Sequence, residues 1–136
     1  MRAADAFFDT NVILYLFSAD EAKAGRAEEL MAGGGHISVQ VLNELASVAH
    51  RKLGFSWREV VDVTAEVRLM FAVAPLTVEA HARGLQIAER YGMSVYDAMI
   101  VASALLSGCS VLYTEDMQRG QVVDGKLTLR NPFVSR

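Results

Sequence analysis

Short apolar runs alternate along this chain with stretches whose apolar residues recur at helical spacing. Ala6, Phe7 and Phe8 run uninterrupted up to Asp9, and an apolar stretch over 12–17 begins just past Asn11, which reads as strand, turn, helix. A second helix is expected over 20–31, closed by the glycines at 33–35, and a strand over 36–39. Val41, Leu45, Val48 and Ala49 then keep a helical period until Gly54, and Ser56 can cap a further helix carrying Val60, Val63, Val67 and Met70. The run 72–76, stopped near Pro75, reads as a third strand. Thr77 can cap a helix expected to turn Val78, Leu85 and Ala88 inward, with Gly92 closing it. Ser94 opens the next helix, and over 98–106 apolar residues cover nearly the whole circumference, the mark of a helix buried on most sides. Val111, Leu112 and Tyr113 make a fourth strand, and Leu127 and Leu129 alternate with polar residues in a fifth.

Strands alternating with helices imply a parallel sheet covered on both faces. The expected architecture is α/β, a three-layer α/β/α sandwich around a mainly parallel sheet of four to five strands, with residues 1–136 forming one domain. No repeat, linker or low-complexity segment divides the chain. Hydrophobic residues make up 52% of it, yet no apolar run nears the roughly 18 residues of a membrane span, and the first residues lack the form of a signal peptide. Cys109 is the single cysteine, so no disulfide can form within the chain. A cytoplasmic protein with no membrane association is the expectation.

A net charge of −3 counts against a simple DNA-binding module, which would need a basic excess. It counts less against a metal enzyme, since two divalent cations would add +4 to that −3. In an open parallel sheet ligands bind beyond the carboxyl ends of the strands. Asp9 directly follows the first strand and Asp116 follows the fourth, so both can reach that edge. Glu44 shares the inward stripe of its helix with Val41 and Val48, where a lone charge is costly unless paired, protonated or metal-bound. Asp97 sits at the start of the most buried helix. Oxygen donors of this kind suit one or two hard cations, Mg²⁺ or Mn²⁺, and favour phosphodiester hydrolysis.

Phe8, Asp9, Thr10, Asn11 and the apolar helix after them resemble the opening motif of PIN domains. Tyr96, Asp97, Ala98 and Thr114, Glu115, Asp116 resemble that family's later motifs, and the order and spacing of the acids match over nearly the whole chain. The resemblance implies a divalent-metal ribonuclease with Asp9, Glu44, Asp97 and Asp116 as catalytic metal-binding acids and Asn11 and Thr114 ordering the site. At this length it is nearest to VapC-like toxins of type II toxin–antitoxin pairs, which implies an RNA substrate, an antitoxin partner and a homodimer. The high apolar content also favours a dimer.

Each acid has a plainer reading. Asp9 can cap the helix after it, Asp97 with Ser94 fits a capping box, Asp116 can be a turn residue, and Glu44 can lie on a solvated face. Their joint placement is what favours a site. Glu115 should point away from Asp116 by strand alternation. Arg51, Lys52 and Arg119 are the basic residues best placed for RNA phosphates. Trp57, Tyr15 and Tyr96 can stack on unpaired bases, although core or interface packing is the commoner role, and Met70, Met93 and Met99 are expected in the core. His36, His50 and His81 lack metal-ligand spacing. The rival functions are a catalytically silent PIN-like RNA- or protein-binding module, and a haloacid-dehalogenase-type phosphatase, which needs an aspartate where Asn11 stands.

Overall fold

The computed structural model describes residues 5–117 and 120–133. Six strands form one sheet in the order β3-β2-β1-β4-β6-β5. They are β1 (Ala6–Phe8), β2 (His36–Ser38), β3 (Ala72–Ala74), β4 (Val111–Tyr113), β5 (Val122–Val123) and β6 (Leu127–Arg130). All neighbours pair in parallel except β5 with β6. The mainly parallel sheet follows the expectation, and the strand beyond it is β5, two residues long at the far edge.

The described helices are α1 (Thr10–Leu14), continued by a 3₁₀ turn Tyr15–Phe17, then α2 (Glu21–Met31), α3 (Val39–Arg51), α4 (Trp57–Met70), α5 (Val78–Tyr91) and α6 (Val95–Leu106). Ser56, Thr77 and Ser94 open helices as the sequence offered, and Asp20 and Ser38 do so without having been singled out. Each of the five accepts the backbone N–H three positions on, and Ser56 with Glu59 completes a capping box. Gly92 closes α5 at φ +68°, a left-handed conformation that glycine adopts without a Cβ penalty.

The chain steps from β1 to β2 to β3 in one direction and then returns to the other side of β1 to lay down β4. Right-handed crossovers therefore put α1 to α4 on one face of the sheet and α5 and α6 on the other. Covered on both faces, the strands bury Phe7, Phe8, Ile37, Leu112, Leu127 and Leu129 completely. The unbroken apolar run of β1, buried at all three positions, follows from that double burial. Helix α6 is buried from Ala98 through Ala104, as its all-round hydrophobicity predicts.

Helix α5 turns Ala88 onto the core as expected, but most of its inner face differs from the one expected. Val78 is 84% exposed and Leu85 is also exposed, while Ala80, Gly84 and Ile87 are buried. The reason is close approach: a Cβ on Gly84 would lie 2.7 Å from Met99 Sδ of α6. Small residues four apart let the two helices touch, and the larger apolar side chains are displaced to the outer face. Met70 is likewise exposed at the end of α4, whereas Met99 is buried and Met93 packs half-buried on the core.

Candidate active site

Strands β1 and β4 are neighbours in the sheet though about a hundred residues apart in sequence, and the strand order reverses between them. Crevices of open α/β sheets form at that point, outside the carboxyl ends of the strands. Asp9 leaves β1 there and donates its backbone N–H to Tyr113 O of β4 at 2.9 Å. The loop Thr114 to Asp116 leaves β4 beside it.

An open cavity of about 270 Å³ lies at this edge. Asp9, Glu44, Asp97 and Asp116 all line it, together with Thr10, Asn11 and Arg51. The acids thus arrive from β1, from α3, from the first turn of α6 and from the loop after β4. Lys52 caps α3 on the exposed surface and is not among the lining residues. Arg119 lies outside the described residues. Glu115 points away from its neighbour, as alternation predicts, and pairs with Lys23 Nζ at 3.1 Å and with the Tyr15 hydroxyl at 2.7 Å.

Asp9 is the buried member, 4% exposed. One carboxylate oxygen accepts the Thr10 N–H at 2.7 Å, so the residue does cap α1; the other accepts the Thr114 hydroxyl at 2.7 Å. Burial nevertheless raises its pKa to about 7, with the Asp97 and Glu44 charges adding to the rise. Asp97 is raised too, first by burial and then by the charges of Asp116 and Glu44. The backbone N–H of Asp97 is the one that Ser94 Oγ caps, at 3.2 Å, so its capping reading also holds locally.

Residues to which the sequence reading gave no role of their own hold Glu44 in place. Thr10 Oγ1 donates to Glu44 Oε1 at 2.7 Å, and Gln40 Nε2 donates to Glu44 Oε2 at 3.2 Å and to Tyr96 O at 2.9 Å. Gln40 stands one helical turn before Glu44 on α3, a spacing that could have signalled it. Thr114 Oγ1 also accepts the N–H groups of Asp116 and Met117 at 3.3 and 3.4 Å, tying the Asp116 loop to Asp9. Asn11 Oδ1 accepts the Glu115 N–H at 3.2 Å, and its buried Nδ2 has no hydrogen-bond partner among the described residues.

Asp9 and Asp97 are raised by burial and by neighbouring carboxylates, so the cavity gathers four carboxylates against the one arginine, Arg51, in its lining, and such an oxygen donor set suits a hard divalent cation. Among the described residues, no three His, Cys, Asp or Glu side chains stand close enough together to hold an ion as they are. The donor set fits the group by type and by cavity; the carboxylates would have to draw in around it.

Comparison with known proteins bears on the same region. Residues 6–122 match the family described as PIN domain. Among curated proteins no sequence matches this chain. Among solved structures the chain is similar to Mycobacterium tuberculosis VapC20, described as a sarcin-ricin loop cleaving toxin. The two share 26% identity and a TM-score of 0.67, over 82% of this chain and 89% of that one. A toxin–antitoxin complex from Klebsiella pneumoniae shares 21% identity and a TM-score of 0.71 over 94% of this chain and 98% of that one. FitAB bound to a DNA fragment gives 20% identity and a TM-score of 0.69, over 96% of this chain and 97% of that one. The last two likenesses are likenesses of fold.

Proposed function

This chain belongs to the PIN domain family, and from that premise we propose that it is a Mg²⁺- or Mn²⁺-dependent endoribonuclease acting as the toxin of a toxin–antitoxin pair. The carrying observation is the convergence of Asp9, Glu44, Asp97 and Asp116 on one cavity at the reversal point of the sheet. When bound, one or two such ions would offset the mutual repulsion of these acids and supply Lewis-acid charge to a phosphate and to water.

In this reading Asp9, Asp97 and Asp116 hold the cation and Glu44 completes its shell or orients the attacking water. Thr10 and Gln40 fix the Glu44 carboxylate, and Thr114 fixes both Asp9 and the backbone that carries Asp116. Water would add to phosphorus as the 3′ oxygen departs with a proton, leaving a 5′-phosphate and a 3′-hydroxyl. Arg51 is the cation in the cavity wall and would meet the RNA backbone.

The toxin role rests on the likeness to VapC20, and structures of similar fold were solved as toxin–antitoxin complexes. A small antitoxin and a second copy of the chain are accordingly its expected protein partners. Purified protein incubated with single-stranded RNA should cut it with Mn²⁺, stop with a chelator, and lose activity in Asp97→Asn while keeping its unfolding midpoint. Full activity in that variant would remove Asp97 from the mechanism. The loose spacing of the acids favours one rival, a silent PIN-like module that binds RNA or protein without cutting. RNA binding with no cleavage under any divalent ion would establish that rival instead.

A further inference from the structure

The loop between α3 and α4 combines features that the catalytic reading does not use. From Leu45 to Arg58 the chain contains no acidic residue, while it carries Arg51, Lys52 and Arg58. None of these three is in a salt bridge among the described residues. The next acid, Glu59, has its carboxylate turned back onto the Ser56 N–H at 2.8 Å. In a chain of net charge −3 this is a local positive segment. Arg51 joins it to the acid cavity, about 10 Å along α3 from Glu44 at 1.5 Å per residue.

Within this segment stands Trp57, 63% exposed. Its indole stacks on the His50 ring, with centroids 3.7 Å apart and planes 18° from parallel. His50 is itself tied to Phe55 O through Nδ1 at 2.9 Å. One face of the indole is therefore braced and the other is open to solvent. A large aromatic ring, held flat and left uncovered beside cations that form no salt bridge among the described residues, Arg51 bonding only the Ser47 hydroxyl at 2.9 Å, has the composition of a site for single-stranded nucleic acid: cations draw the backbone, and the ring takes a base.

We propose that Trp57 is a stacking platform for an unpaired RNA base, and that the cationic segment from Arg51 to Arg58 leads the strand from this platform into the acid cavity. The inference deepens the ribonuclease reading by assigning the RNA a path. It would nevertheless survive if the protein bound RNA without cutting it. The positive segment also resolves how a negative cavity meets a negative substrate: the strand is held by neighbours of the acids.

Trp57 is the only tryptophan of the chain, so its fluorescence reports on this site alone. A short single-stranded oligoadenylate, titrated into the protein in chelator and into Asp97→Asn protein with Mg²⁺, should quench that emission. By anisotropy of labelled oligoadenylate, Trp57→Ala should weaken binding about tenfold or more, the usual effect of removing one stacked base. Trp57→Phe should retain most of the affinity, and Trp57→Leu should behave as Ala. Arg51→Gln should lower the slope of log affinity against log salt by about 1. Absence of quenching in both titrations, or wild-type affinity in Trp57→Ala or Trp57→Leu, overturns the proposal. Loss of a protein partner or of self-association in Trp57→Ala, with RNA affinity unchanged, would reassign the patch to protein docking. Cleavage assays with Mn²⁺ report separately on the nuclease reading: cutting without quenching sinks only the platform, and quenching without cutting sinks only the nuclease.

Discussion

Asp9 serves two ends with one side chain: it caps α1 through Thr10 and faces the acid cavity beside Thr114. Its carboxyl titrates near 7 when folded and near the ordinary aspartate value when unfolded, so the folded chain holds the extra proton between those values. Stability from this group is therefore full at low pH and falls as pH rises through about 7. In chelator, Asp9→Asn should gain on the wild type as pH rises, by roughly 2 kcal/mol at pH 8 after allowing for weaker hydrogen bonds. Thermal unfolding at pH 5 and pH 8 checks this, and an equal gap at both would refute it. Thr10→Val removes the donor to Glu44 Oε1 and should weaken Mn²⁺ binding about 10- to 100-fold, as loss of a ligand's supporting partner does. Calorimetric titration reads that change. The acids themselves were legible in the sequence, since strand ends and helix stripes are local patterns. The role of Thr10 was not, because a hydroxyl declares its role only through the partner it meets, whereas Gln40 was passed over although its one-turn spacing from Glu44 was there to be read. Trp57 does not pack in the core of this chain, since a strand or helix period says nothing about a residue that opens a helix.

At the scale of elements, caps and breakers carried most of the information. Ser56, Thr77, Gly92 and Ser94 fixed helix ends because each acts on the backbone next to it. The inner face of α5 was misread because hydrophobic size favours Val78 and Leu85, whereas the neighbour decides what fits. That neighbour is Met99, and Gly84 is the contact. Gly84→Ala can be met by a turn of the flexible Met99 side chain. Gly84→Leu cannot, and should cost about 1–3 kcal/mol as an overpacked helix contact, read as a lower unfolding midpoint in denaturant. A midpoint equal to the wild type would show that α5 and α6 do not need this close approach. The 3₁₀ turn after α1 and the two-residue strand β5 escaped notice for a simpler reason: both are too short for a period to register.

Across the whole molecule, the alternation of strands and helices announced a parallel sheet, but the order of strands could not be read from it, because crossovers of either direction leave the same periodicity. Metal should couple the site to global stability, since an ion that binds only the folded chain raises the unfolding midpoint. Mn²⁺ should raise it in the wild type and much less in Asp9→Asn, and an equal rise in both would place the ion elsewhere. Cys109 takes no part, for burial pushes its thiol up to about 12 and keeps it protonated. The seam between β1 and β4 has a temporal meaning as well. A chain made from its amino end lays down Asp9 about a hundred residues before Asp116, and β1 has no β4 to pair with until that stretch has been made. The carboxylates that follow these two strands cannot share one cavity until that interval has passed, so on the proposed nuclease reading a copy still short of β4 has no assembled site.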